Sequence, residues 1–244
     1  MSDPVLIAAA ALWGAVAGAL LPRAAHRFSV PAGQPWRDRC PAEHPVRGWL
    51  GRARCGRCAA PEASYGPGVT PFAVVTALVC AALAAATGTR PELAVWLLLA
   101  PAGVLLAAVD FRVRRLPDPL TLPFAGAALV LLGAVALVPE HAGEWTTALL
   151  GALALGAGYF VLFLINPGGM GFGDVKLALG AGAVLGWYGW PTVMLGTFAG
   201  FLLGAVYGGA LVVARRAGRK TAIPFGPFLI AGAFLGLLIG AYAA

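Results

Sequence analysis

Charge is what this sequence has least of. Asp, Glu, Lys and Arg make up 11% of its 244 residues against 60% hydrophobic residues, and the mean hydropathy is +0.83. A soluble domain carries about 25% charged residues, so that class is excluded. Acidic side chains are the scarcer sign, 10 against 17 Lys and Arg. The opening "MSDPVL" has no basic residue ahead of the first apolar run, and Arg23 and Arg27 come only after it. A secretory signal has the opposite order, so this run is expected to stay in the mature protein as a span. No long-period repeat or low-complexity tail is found, and no apolar run holds a His or Cys cluster that could ligate a metal inside a membrane.

What the chain has instead is long apolar runs. Eight are found, with approximate bounds 5–22, 71–88, 92–110, 119–138, 146–165, 174–189, 191–213 and 223–243, the sixth being the shortest. Crossing about 30 Å of hydrocarbon takes about 20 mostly apolar residues. Backbone amides in lipid must be satisfied within their own segment, so runs of this length are helices, whereas barrel strands would show alternation over about 10 residues. The sequence therefore predicts an all-α, polytopic membrane helical bundle of about eight transmembrane helices.

Orientation follows from the basic residues. With the N-terminus outside, the segments 23–70, 111–118, 166–173 with the start of the sixth run, and 214–222 face the cytoplasm and hold every Lys and Arg except Arg90. The outer connection "PEHAGEW" carries Glu140 and Glu144 and no basic residue, and Trp145 with the "WYGW" of 187–190 suits an interfacial aromatic belt. The net charge of +7 is thus accounted for by topology and anionic lipid, without a nucleic-acid partner. Three parts are expected: a first transmembrane helix at 1–22, an irregular cytoplasmic insert rich in Arg, Pro and Gly at 23–70, and a seven-helix core at 71–244. Glycines at every fourth position, Gly200, Gly204 and Gly208, then Gly232, Gly236 and Gly240, read as close-packing faces. Cys80, inside a run, reads as a small apolar filler.

Two acids stand at run boundaries. Asp110 closes the third run in "LLAAVDFRVRRLPDPLT", and Asp174 opens the sixth in "GMGFGDVKLALG". Intramembrane carboxylates are costly and so invite a functional reading. Singly, Asp110 could be an interfacial acid beside Arg112, Arg114 and Arg115, and Asp174 an acid favoured by the helix dipole. The topology puts both at the cytoplasmic ends of their helices at similar depth, where packing could bring them face to face, with Gly171 and Gly173 leaving room for a backbone beside Asp174. Two such carboxylates share one proton near neutral pH. The ionised one can take a proton from an attacking water while the neutral one polarises a peptide carbonyl, with no metal required. Asp118 in "PDPLT" reads as an N-cap with Pro119 at the first helical position. Lys176 reads as an inner-face anchor, with a substrate contact as the second reading.

These residues resemble a known family, the type IV prepilin leader peptidases, membrane aspartic peptidases of the Gly-x-Gly-Asp class. "GMGFGDVKLALG" is similar to the family's Gly-x-Gly-Asp-x-Lys signature. "VDFRVRRLPDPLTLP" is similar to its companion motif, and "IPFGPFLIAGAFLG" at 223–236 to the opening of its last helix. The resemblance implies that Asp110 and Asp174 are catalytic, with Gly171, Gly173 and Lys176 supporting them. The substrates it implies are pilin-like or pseudopilin precursors, cut after a short basic leader, commonly between Gly and Phe, at the cytoplasmic face of a bacterial inner membrane.

Many members also methylate the new N-terminus with S-adenosylmethionine and carry two Cys-x-x-Cys pairs of zinc-like spacing in the insert. This chain keeps Cys55 and Cys58 but has Cys40-Pro-Ala-Glu43, so Cys40, Cys55 and Cys58 are the candidate zinc ligands, with His44 able to complete the set. Ala19 and Pro22 stand where many members have Ser and Asn. Both departures bear on methyl transfer and leave proteolysis untouched. A reading from another class is a small proton-coupled transporter using the same acids. Both acids at one face, and the lack of half-to-half symmetry, argue against it.

Overall fold

The computed structural model of the protein describes residues 3–59, 63–214 and 224–244. Among these residues the regular structure is helical; no strand forms, and Arg39–Pro45 and Arg54–Ser64 are isolated bridges. Each of the eight apolar runs falls on helix. The helices are α1 (Pro4–Ala19), α2 (Leu21–Phe28), α3 (Val69–Thr87), α4 (Glu92–Val113), α5 (Asp118–Val135), α6 (Trp145–Ile165), α7 (Phe172–Gly186), α8 (Trp190–Val213) and α9 (Gly226–Ala243). Six of them, α3, α4, α5, α6, α8 and α9, are long and apolar enough to cross a membrane, and the bent pair α1–α2 makes up to seven. The chain is a polytopic helical bundle, with the sixth run too short at 15 residues to meet the same test.

The chain divides into two compact units, Met1–Thr89 with Trp96–Arg115, and Arg90–Val95 with Leu116–Ala244. In the first, Asp3 caps α1 by accepting from the Val5 N–H at 2.8 Å. The first run does not continue straight to residue 22. The chain bends by 43° at Leu20, where Pro22 can offer no N–H to the preceding turn, and α2 carries helix on to Phe28 into what reads as irregular insert.

The helices α1 and α3 pack closely. A Cβ on Gly14 would lie 2.9 Å from Cys80 Sγ, and one on Gly18 2.8 Å from Thr76 Oγ1, so Cys80 is the small filler expected. Pro101 sits inside α4, and its missing N–H leaves the Leu97 carbonyl without its helical donor. The Trp13 indole of α1 fills that role, donating to Leu97 O at 2.9 Å.

The second unit is built around α7. Val175, Leu177, Ala178 and the whole stretch 180–186 are buried, enclosed by α5, α6, α8 and α9. This explains its weak sequence signal: a helix walled by protein need not match the bilayer. Its contact with α6 is backbone on backbone, since a Cβ on Gly151 would meet Gly182 O at 2.6 Å and Gly186 Cα at 3.0 Å. Between α8 and α9, Gly196 and Gly200 face Gly232 and Gly236 in the same way, whereas a Cβ on Gly204 would make only ordinary contact with Phe225 and Phe228. The small-residue face of α8 thus begins one turn earlier than the sequence spacing suggests.

Two expectations change here. Trp187 is not a belt residue: it is 1% exposed and packs against His141 and Gly143, while Trp145 and Trp190 remain exposed. Arg90, the exception to the charge bias, is engaged structurally. It pairs with the fully buried Glu92 at 3.8 Å and donates to the Ala241 carbonyl, while Tyr188 O–H donates to the same Glu92 at 3.2 Å.

Candidate functional site

Asp174 is the third residue of α7, within the "GMGFGD" stretch, and is 6% exposed. Its Oδ2 accepts from the Gly171 N–H at 3.1 Å, and its own N–H donates to Gly171 O at 3.0 Å. This is the reciprocal arrangement of a capping box, with the Gly171 carbonyl in place of a Ser or Thr hydroxyl. The carboxylate is therefore oriented by backbone and lies at the positive end of the helix dipole.

Gly173 does leave room for backbone: a Cβ there would lie 2.8 Å from Leu116 Cβ and 3.5 Å from Leu116 O. The occupant of that space is the chain just ahead of α5. Gly171, by contrast, would make only ordinary contact, 3.6 Å from Asp174 Oδ2, so its contribution is the N–H rather than the missing side chain.

Lys176 turns toward α5, where Nζ lies 2.7 Å from Asp118 Oδ1 and 5.0 Å from the Phe172 ring centroid. Asp118 is accordingly not the N-cap. Pro117 holds that position without a side-chain bond, Asp118 is the first helical residue, and its carboxylate is spent on Lys176.

A residue that the sequence reading passes over lies in the same unit. Tyr159 of α6 is 2% exposed, stacks on Phe201 and lies against Phe225, both at 5.8 Å between ring centroids, and its hydroxyl has no hydrogen-bond partner. The signal available was a hydroxyl-bearing ring in the middle of an aliphatic span. In the first unit, Asp110 closes the last turns of α4 and is 4% exposed, and its backbone carbonyl accepts from the Arg114 N–H at 2.8 Å.

The first unit also assembles the insert. Phe28 stacks on Trp49 and meets Trp36 edge-on, with Arg27 over Trp49 at 3.9 Å and Arg115 over Trp36 at 4.6 Å. Arg23 donates to Arg47 O at 2.8 Å, Arg27 to Gly48 O at 2.7 Å and Arg115 to Pro31 O at 2.8 Å. Arginines that read as inner-face charges thus also clasp the insert's carbonyls.

Within the insert, Cys40, His44, Cys55 and Cys58 bring four ligand atoms within 4.8 Å of one another. Sγ of Cys40 lies 3.7 Å from His44 Nδ1 and from Cys58 Sγ, and His44 Nδ1 lies 3.4 Å from Cys58 Sγ and 3.7 Å from Cys55 Sγ. Tetrahedral zinc with bonds of about 2.0 to 2.3 Å has ligand edges of roughly 3.3 to 3.8 Å, so the spacing fits. Glu43, at the place of the missing thiol, takes φ +60° and turns its carboxylate to Arg39 at 3.6 Å, which hands the fourth position to His44. The Arg57 backbone N–H lowers the Cys55 thiol to about 6, while burial and the neighbouring thiols raise Cys58 to about 12, so one sulfur is already inclined to the anionic form a metal needs.

A family model described as the type IV leader peptidase family matches residues 93–209. The prepilin leader peptidase/N-methyltransferase of Aeromonas hydrophila is 35% identical over 209 residues, covering 80% of this chain and 66% of that protein. The protein of the same name from Pseudomonas aeruginosa is 30% identical over 216 residues, covering 82% and 71%. That from Escherichia coli is 34% identical over 142 residues, covering 54% and 57%. The chain spans about two thirds of the length of the Aeromonas relative. No solved structure matches it.

Proposed function

We propose, from the premise that this chain belongs to the type IV leader peptidase family, that it is an aspartic endopeptidase removing the leader from pilin-like or pseudopilin precursors. Asp110 and Asp174 are the catalytic pair, acting on one scissile peptide. The observation that carries the assignment is the state of the two acids. Each is almost wholly buried at the end of an apolar helix, and Asp174 is fixed by the Gly171 N–H. Burial disfavours a carboxylate's charge, so a buried acid needs either a structural role, as Glu92 has with Arg90 and Tyr188, or a chemical one, and the motifs around Asp110 and Asp174 favour the chemical one for this pair.

One carboxylate, ionised, takes the proton of a water as that water attacks the carbonyl carbon. The other, protonated, donates to the carbonyl oxygen and then, through proton exchange, the leaving amine is protonated. Gly171 holds Asp174 in register for this step, Gly173 admits the Leu116 backbone beside it, and Lys176 acts by tying α7 to α5 through Asp118 rather than by touching substrate. The chain is a multi-pass membrane protein, and the basic residues favour a plasma-membrane topology with the N-terminus outside and the acids at the inner face. The transporter reading finds no support in the family match.

Cys40, His44, Cys55 and Cys58 would hold a zinc ion. Four protein ligands leave no open position, so the ion would order the insert and take no part in hydrolysis. Methyl transfer with S-adenosylmethionine is carried only by the relatives' double name, and Ala19 and Pro22 speak against it.

The test is leader removal from a co-expressed precursor that has a basic leader and a Gly before its apolar helix. Asp110→Asn and Asp174→Asn each abolish cleavage while membrane levels of the enzyme stay unchanged. Normal processing by either variant rejects the pair.

A further inference from the structure

The buried hydroxyl of Tyr159 is the strongest feature that the reaction above does not use. The antiparallel pairing of α6 and α7 fixes its height: Gly151 lies against Gly182, Gly156 against Leu179, and Phe163 against Phe172 at 5.4 Å between centroids. In that register Tyr159 falls level with the turn 174–176. Asp174 is near enough to act electrostatically on the phenol, yet the hydroxyl makes no hydrogen bond. The ring itself is fixed by Phe201 of α8 and by Phe225, which sit 5.1 Å apart and both lie against it. Phe225 belongs to the Pro-Phe-Gly-Pro stretch singled out in the sequence, and this packing gives that stretch a purpose. An unpaired hydroxyl in a dry interior is destabilising, and phenylalanine would fill the same space without that cost.

We propose that Tyr159 is a positioning residue for Asp174: its O–H donates to the Asp174 carboxylate during turnover, holding the charged form in line with the attacking water. The proposal rests on the assignment of Asp174 as catalytic. The hydroxyl moves no proton of its own and makes no covalent bond, so only the orientation and charge of Asp174 depend on it.

The experiment compares wild type, Tyr159→Phe and Asp174→Asn, each as the full chain in detergent. The substrate is a peptide with a basic leader, Gly and Phe at the cut, and the first residues of an apolar helix. For Tyr159→Phe the expected result is a roughly 10- to 100-fold fall in kcat, the loss of one hydrogen bond to a charged group, with KM within about twofold and melting temperature equal to or above wild type. Wild-type kcat with Asp174→Asn inactive overturns the tyrosine and leaves the aspartate pair standing. A fall in kcat matched by a lowered melting temperature also overturns it, because the hydroxyl would then be structural. Cleavage by Asp174→Asn overturns the pair itself.

Discussion

Helices α6 to α9 and the insert at 29–68 are ordered by opposite means. In the helices, order comes from what side chains leave out: Gly151, Gly182, Gly196 and Gly232 let backbones touch, and dispersion over that contact replaces the hydrophobic drive that lipid cannot supply. The insert has no helix between Ser29 and Gly68 among its described residues. It is held instead by added polar groups, arginines donating to carbonyls, cations over tryptophans, and the Cys–His cluster. The comparison teaches that a gain of atoms should harm the first region and a loss of atoms the second.

The largest stability effect is expected at the crossing of α6 and α7. Gly182→Leu forces two backbones apart and costs about 3 kcal/mol or more, read as loss of the folded species in detergent melting; an unchanged melt would break the account of that region. Next, His44→Ala or Cys58→Ser removes a ligand of the proposed zinc site. Bound zinc falls from one per chain toward none and the insert becomes sensitive to protease, while the melt of the helices is unmoved.

A smaller effect is expected where the helical part does depend on a polar link. Trp13→Phe exposes Leu97 O at Pro101 and costs about 1 kcal/mol, and the cost shrinks when Pro101→Ala restores the helical N–H, as a double-mutant cycle would show. The smallest effect belongs to Asp118→Asn. Asp118 is mostly exposed, so loss of its pair with Lys176 is worth about 0.2 to 1 kcal/mol in a melt and leaves cleavage nearly intact.

Much of this was legible in the sequence because lipid imposes one rule, that apolar runs of this length are helices. What escaped depended on neighbours. The bend at Leu20 needs only Pro22, yet hydropathy does not register a missing N–H. Trp187 and the short α7 read as membrane-facing because hydropathy does not distinguish lipid from protein as a covering. Asp118 fitted a cap signal and was taken by Lys176 across a helix pair. For the site, Gly-x-Gly-Asp marked Asp174, but its glycines read as room for a backbone, and the N–H that Gly171 offers Asp174 emerges only from the fold. His44 was already offered by the sequence as the residue to complete the sulfur set, and the fold adds the left-handed turn at Glu43 beside it, whereas the height of Tyr159 follows from the α6–α7 register, which is not a pattern in the chain itself.

The central claim is that Asp110 and Asp174 work as one unit, and single-turnover cleavage of the leader peptide by Asp110→Asn, Asp174→Asn and the double variant tests it most directly. Residues sharing one step are not additive, so the account predicts that both single variants fall to the same floor and the double variant is no slower. Losses that multiply in the double variant, or full rate in either single variant, would contradict it.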